Sequence, residues 1–295
     1  MRDVFGYSGG RYGMHSPTRS GLNIRVIFAI GLILFALIRF GSATSVNPIT
    51  GKADRVGLSV EQEVALGLQS APSMIQQFGG LARSERDQYL VDQVGRELLN
   101  ALERKLKRNG VGENPYQFEF HLLSDESTIN AFALPGGQIF ITQGLYKHLR
   151  TPGQVAGVLG HEMGHVIERH GAQRMAKDNF FRDLIGAFTV ASGSVSHAQV
   201  EQMVGNLIQM KYGRDDELES DRWGVDLCIL AGYDPQNMIA VMDVLEQQAG
   251  GGKSPEILST HPNPGNRREK IMLLIRQQFP DGIPRLKDPY RGLPK

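Results

Sequence analysis

His161-Glu162-Met163-Gly164-His165 is the stretch that decides how this chain is read. Successive residues of an α-helix turn by about 100°, so positions i and i+4 lie one turn apart on the same face. His161 and His165 can therefore aim two imidazoles at one metal ion, with Glu162 beside it. Two neutral nitrogen donors next to a carboxylate suit a hydrolytic zinc site, in which the histidines hold the ion and the carboxylate takes a proton from water. The residues upstream fit a helix. Thr151 is placed to cap it, Pro152 takes the first helical position, and Val155, Val158, Leu159, Val166 and Ile167 give it an apolar face. Gly157, Gly160 and Gly164 lower helix propensity, which points to close packing rather than intrinsic stability.

A catalytic zinc keeps three protein ligands and one open position. An HExxHxxGxxH extension would need Gly at 168 and His at 171, but the chain has Glu168 and Gly171, so that arrangement is excluded. Glu168 and His170 stand near the motif and read as surface or supporting residues; on a continuing helix His170 points away from the ligand face. A better third ligand lies in Gly213-Arg214-Asp215-Asp216-Glu217-Leu218-Glu219-Ser220-Asp221. Glu217 and Asp221 are again i and i+4 on one helical face. Glu217 can complete the ligand set, and Asp221 can accept the second ring N–H of a histidine and so fix it.

HEMGH, followed about fifty residues later by Glu217 and Asp221 in an ExxxD helix, resembles the membrane-associated zinc endopeptidases. That family includes the CAAX prenyl endopeptidase, the heat-shock membrane proteases and the periplasmic proteases of outer-membrane quality control. Three further stretches agree with it. Asn130 to Ile141 is similar to the family's strand and turn before the zinc helix. Ala231-Gly232-Tyr233-Asp234-Pro235 resembles its segment after the ExxxD helix, and Thr260-His261-Pro262 with Arg267 resembles its late motif. The resemblance spans roughly residues 47 to 279.

What it implies is specific. The fold is expected to be a predominantly helical α+β zincin of the gluzincin type, with one Zn2+ on His161, His165 and Glu217. Glu162 is expected as general base, Asp221 as support, and His261 and Arg267 as further catalytic groups. His261 either donates to the developing oxyanion or serves as a temporary fourth ligand that holds the enzyme inactive; Arg267, as a second positive group, favours the first role. Substrates are expected to be unfolded or flexible protein or peptide segments, laid as an added strand along Asn130–Leu134 or Gln138–Thr142. The expected activity is that of a zinc metalloendopeptidase in membrane-tethered protein quality control. Two alternatives are a non-catalytic chaperone or adaptor that keeps the zinc fold and a small-molecule zinc hydrolase. Retention of Glu162 and of every ligand argues against the first.

The remainder of the chain bounds this reading. The 295 residues carry a formal charge of +1 and no basic stripe, which gives no sign of a nucleic-acid partner. The single cysteine, Cys228, sits in an apolar run and reads as a small buried hydrophobe. Residues 1–21 read as a disordered tail. Val26 to Ile38 is an apolar run between Arg25 and Arg39 that reaches only ~20 Å as a helix, short of the ~30 Å hydrocarbon core. With Arg39 snorkelling and extension through Val46, residues 22–46 become a single-pass membrane anchor. The alternative is a secretory signal cleaved near Ala43, releasing the protein to the periplasm. Arg11, Arg19 and Arg25 before the run place the N-terminus inside and the catalytic domain, residues 47–279, on the extracytoplasmic side.

Ser59 with Gln62 forms a capping-box signature for a helix through about Gln77. A second helix starts at Ser84 with Leu90, Val94, Leu98 and Leu102 as its buried stripe. Phe118, Phe120 and Leu122 alternate as a strand, and Pro135-Gly136-Gly137 turns between the two later strands. Phe180 to Met210 reads as mostly helical with a break at Ala191–Ser194, Gly250–Gly252 as a flexible loop, and Phe279 to Lys295, including a 280–295 tail, as Pro-rich without core content.

Overall fold

The computed structural model describes residues 44–56, 58–177, 212–250, 255–261 and 266–284, together with residues 30, 34 and 286. The 1–21 tail, nearly all of the apolar run, the 180–210 segment, Gly251, Gly252 and the end of the C-terminal tail lie outside these residues. Among the described residues no helix is long and apolar enough to cross a membrane.

The chain enters through a two-stranded antiparallel hairpin, β1 (Thr44–Val46) and β2 (Ala53–Arg55). This places Thr44–Val46 in a paired strand and not in the helical anchor expected to extend through Val46. Helix α1 (Val60–Gln77) begins where the capping box predicts: the Ser59 hydroxyl accepts from the Gln62 N–H and the Gln62 side chain accepts from the Ser59 N–H. Helix α2 (Glu85–Arg108) is capped by Ser84. Its buried stripe is Val91, Val94, Leu98, Ala101 and Leu102, with Leu90 only half-buried. A strict four-residue spacing drifts round a 3.6-residue helix, so the contact face has to alternate steps of three and four.

Strands β3 (Glu119–Leu123), β4 (Ala131–Ala133) and β5 (Gln138–Thr142) form a mixed sheet in the order β3-β5-β4. β5 is parallel to β3 and antiparallel to β4, and every residue of it is buried. A central strand cannot accept a further strand, so of the two segments expected to align substrate only the 130–134 stretch carries an edge. Gly136 and Gly137, at φ 87° and 118°, make the β4–β5 turn with a backbone that other residues rarely adopt.

After the short helix α3 (Gln143–Tyr146), helix α4 (Pro152–Ile167) carries HEMGH through the centre of the molecule, buried on all sides. Thr151 accepts from the Gln154 N–H at its start, with Pro152 at the first turn. Helix α5 (Arg214–Ala231) crosses it at very short range. A Cβ on Gly164 would lie 2.7 Å from Ser220 Cα, and one on Gly160 would lie 3.2 Å from Gly224 Cα. This is the close packing that the glycines of α4 predict, and it lets a carboxylate of α5 reach the histidines of α4. Helices α6 (Asn237–Ala249), α7 (Ile257–Thr260) and α8 (Arg267–Gln278) close the far side. The architecture is thus mostly helical with small sheets, as expected for an α+β chain. Cys228 is free and fully buried, and burial pushes its thiol up to about 12. At the C-terminus Phe279 and Ile283 pack on a cluster formed by Val225, Met238, Met242, Ile271 and Ile275. The start of the tail therefore has core content, contrary to its composition, because the chain turns back at Gly282 (φ 98°).

Candidate metal centre

α4 ends at Ile167, and its C-terminal carbonyls need partners. The Asn47 side chain, from the entry hairpin, donates to the Ile167 carbonyl at 2.8 Å. Arg169 then adopts φ 59°, a conformation that costs a side-chain-bearing residue roughly 1–2 kcal/mol. Its buried guanidinium offsets that cost with bonds to Glu63 (2.9 Å from Nε), the Leu58 carbonyl (2.8 Å) and the Ser45 hydroxyl (2.8 Å). Glu168 and His170 are not surface residues. They are 5% and 2% exposed, and the chain reversal swings His170 back against His165.

The structure brings His161, His165, Glu217 and His261 into one buried cluster whose ligand-type atoms all lie within 4.8 Å of one another. His161 Nε2 is 3.1 Å from His165 Nε2, and each lies 3.5 Å from a Glu217 oxygen. His261 Nδ1 stands 3.0 Å from Glu217 Oε1 and 3.4 Å from His161 Nε2. Tetrahedral zinc with ligands at roughly 2.0–2.2 Å sets its donor atoms about 3.3 Å apart, so these spacings fit that ion. Charge agrees with geometry. Three buried carboxylates, Glu162, Glu217 and Asp221, surround one buried guanidinium, Arg267. With the histidines neutral, as ligation requires, the sum is −2, which a divalent cation would cancel. Glu162 Oε1 and Glu217 Oε2 are buried without hydrogen-bond partners, and each faces a positive or basic nitrogen, His261 Nε2 at 3.8 Å and Arg267 Nη1 at 2.7 Å.

Asp221 lies behind His161. Its Oδ1 is 3.0 Å from His161 Nδ1, while Arg267 grips both carboxylate oxygens at 2.7 and 2.8 Å. Arg267 Nη1 also lies 2.7 Å from Glu217 Oε2, without the alignment of a hydrogen bond. Its charge is therefore spent on the two acids of α5. Burial disfavours the Asp221 anion, but the Arg267 bonds outweigh this and hold it below the usual range. Burial likewise opposes charge on His161, and its bonds to Asp221 and Glu217 reverse the sign, raising it to about 9. His165 has a histidine rather than a carboxylate against its Nδ1; burial and the neighbouring imidazoles keep it well below its ordinary value. Burial pushes Glu162 upward, which makes it a better proton acceptor.

Residues the motifs do not name also shape the site. The Tyr212 ring lies 4.1 Å from the His165 ring, centroid to centroid, and the Tyr212 N–H donates to the Thr260 carbonyl at 3.2 Å. The Ile257 N–H donates to the Ile129 carbonyl at 3.2 Å, and together these bonds carry His261 into the cluster. An apolar cavity of about 50 Å³ opens beside His161 and Glu162, lined by Val158, Met238, Met242 and Leu245 among others.

Comparison with known families settles the lineage. A sequence model of peptidase family M48 matches residues 86–273, which contain every member of the cluster. The chain belongs to peptidase family M48. Within M48, the mitochondrial metalloendopeptidase OMA1 of Arabidopsis thaliana is 35% identical over 151 residues, covering 51% of this chain and 30% of that protein. The beta-barrel assembly-enhancing protease of Escherichia coli (strain K12) is 28% identical over 263 residues, 85% of this chain and 51% of the relative. The metalloprotease YcaL of the same organism is 28% identical over 166 residues, 55% and 63% of the two chains. The M48 chain described here thus spans about half or less of the first two relatives.

Proposed function

We propose that this chain is a zinc metalloendopeptidase that cleaves unfolded or flexible protein segments in membrane-tethered quality control, with one zinc on His161, His165 and Glu217. The observation that carries the reading is the convergence of those three side chains at close to tetrahedral spacing beside the buried Glu162 carboxylate, whose Oε1 has no hydrogen-bond partner. Zinc bound there would polarise the scissile carbonyl and acidify water. Glu162, raised by burial, takes the proton and returns it to the departing amine. Asp221 and Arg267 position His161 and Glu217.

Substrate alignment follows from the sheet. Thr142 N–H donates to the Asn130 carbonyl and Leu134 N–H to the Gln138 carbonyl, so residues 130, 132 and 134 face β5 and Ala131 and Ala133 turn their backbone groups outward. Among the described residues no strand pairs with that outer edge. An extended peptide can add there, with an apolar side chain in the cavity beside Glu162. Such backbone reading suits unfolded segments. The apolar run before Thr44 supplies the tether on this reading, with signal cleavage near Ala43 as its rival; either leaves β1 intact.

The deciding experiment pairs zinc analysis with casein cleavage, with and without chelator. Glu162→Gln should keep about one zinc per chain and lose turnover by at least ~10². Zinc-loaded wild type that cleaves nothing would return the chain to the chaperone reading. His261 fills the fourth corner of the cluster, which favours the plug over the oxyanion donor. His261→Ala should then raise basal cleavage at equal zinc content, whereas a loss of about 10² would make it a donor to the oxyanion.

A further inference from the structure

Both nitrogens that the HEMGH helix turns to the cluster are Nε2 atoms, so each ring must carry its proton on Nδ1 when it ligates. His161 gives that proton to a carboxylate, Asp221. His165 has no carboxylate in this position. Its Nδ1 meets His170 Nδ1 at 3.0 Å. Only one direction of that bond is compatible with ligation: His165 donates, so His170 Nδ1 accepts and the His170 proton sits on Nε2. The far side of the His170 ring is furnished for this tautomer. Glu219 Oε2 lies 3.2 Å from His170 Nε2 and Asp216 Oδ1 lies 3.9 Å from it, and both are acceptors. The Ser220 hydroxyl, 3.4 Å from His170 Nδ1, can donate but leaves the His165 bond the shorter one.

The line continues outward. Lys52 of the entry hairpin contacts Glu219 Oε1 at 2.6 Å and Glu168 Oε2 at 3.0 Å, and Glu168 Oε1 accepts the Trp223 indole N–H at 2.7 Å. His170 itself is 2% exposed, so water does not compete for its bonds.

We propose that His170 is a positioning residue of the metal centre. It accepts the Nδ1 proton of His165 and, held by Glu219 and Lys52, fixes the tautomer and ring angle that present Nε2 to the ion. The residues just downstream of the apolar run thereby become part of the support of the site. This inference rests on the metal-centre reading above, and the test separates the two.

The measurement is zinc affinity of the full chain by competition with a chromogenic chelator. His170→Leu removes the acceptor and should weaken binding by about 10- to 100-fold. His170→Asn can return an amide oxygen to the Nδ1 position and should stay within roughly threefold of wild type, a rescue that a packing role does not predict. Glu219→Gln, at the half-exposed end of the line, should cost roughly fivefold and keeps the inference testable if His170→Leu does not fold. Unchanged affinity in His170→Leu, or in Glu219→Gln where His170→Leu does not fold, overturns the proposal. So does an equal loss in His170→Leu and His170→Asn. A wild-type chain that takes up no zinc overturns the metal reading itself, whereas stoichiometric wild-type zinc with indifferent variants overturns only the role of His170.

Discussion

His161 rests on a carboxylate that a buried arginine grips through two bonds, whereas His165 rests on a second histidine that leads outward to a half-exposed lysine. The inner support is made of buried ionised groups, so its geometry is set by α5 and α8 alone. The outer support passes through a neutral ring, a half-exposed Glu219 and a Lys52 that is 48% exposed. The two histidines proposed as ligands, one turn apart on one helix, are therefore held with different stiffness. The stiffer one lies beside Glu162 and Arg267, and the softer one faces the N-terminal hairpin.

The largest effect should come from breaking the inner support. Asp221→Ala takes two bonds from Arg267 and the Nδ1 partner from His161 in the interior, which should cost about 3–5 kcal/mol of stability and ~100-fold in zinc affinity. Denaturant unfolding with and without zinc reads both, and a loss under 1 kcal/mol would mean the pair is solvated after all. Next comes the wall common to both supports. Gly164→Ala puts a methyl group 2.7 Å from Ser220 Cα, where only backbone movement makes room. It should cost about 1–3 kcal/mol and pull Glu217 off the histidines, seen as lost zinc; a neutral outcome would show that α4 and α5 slide freely. The smallest effect belongs to Lys52→Met, at most ~1 kcal/mol and fading in high salt, because an exposed ion pair is screened while the Asp221–Arg267 pair is not. A salt-independent loss at Lys52 would erase the contrast between the two sides.

The same contrast governs what could be read from the sequence. The inner site is built from i, i+4 patterns on two regular helices, so His161, His165, Glu217 and Asp221 are legible together, and the Thr151 and Ser59 caps announce where helices start. His261 and Arg267 arrive through a family-like motif; the structure brings His261 into the cluster and Arg267 against Glu217 and Asp221. The outer support depends on a break in periodicity. A left-handed Arg169 has no local signal, since its conformation is held by Glu63, Leu58 and Ser45, all more than a hundred residues earlier. An unbroken helix would have turned His170 away, and the link to Glu219 and Lys52 was hidden for that reason. The sheet order and the strand at Thr44–Val46 were likewise illegible, because pairing is a long-range choice that a three-residue segment cannot encode.

The entry hairpin gives the molecule an unusual dividing line for anyone trimming it. Its residues precede the stretch matched by the M48 model, and by sequence similarity alone they would be discarded as a linker. Yet Asn47 finishes the end of the HEMGH helix, Ser45 helps seat Arg169, and Lys52 steadies Glu219. A recombinant fragment starting at α1 would keep every metal-facing side chain while leaving a carbonyl and a guanidinium in the interior short of partners. Loss of activity in such a fragment would then report a missing brace, not a missing membrane.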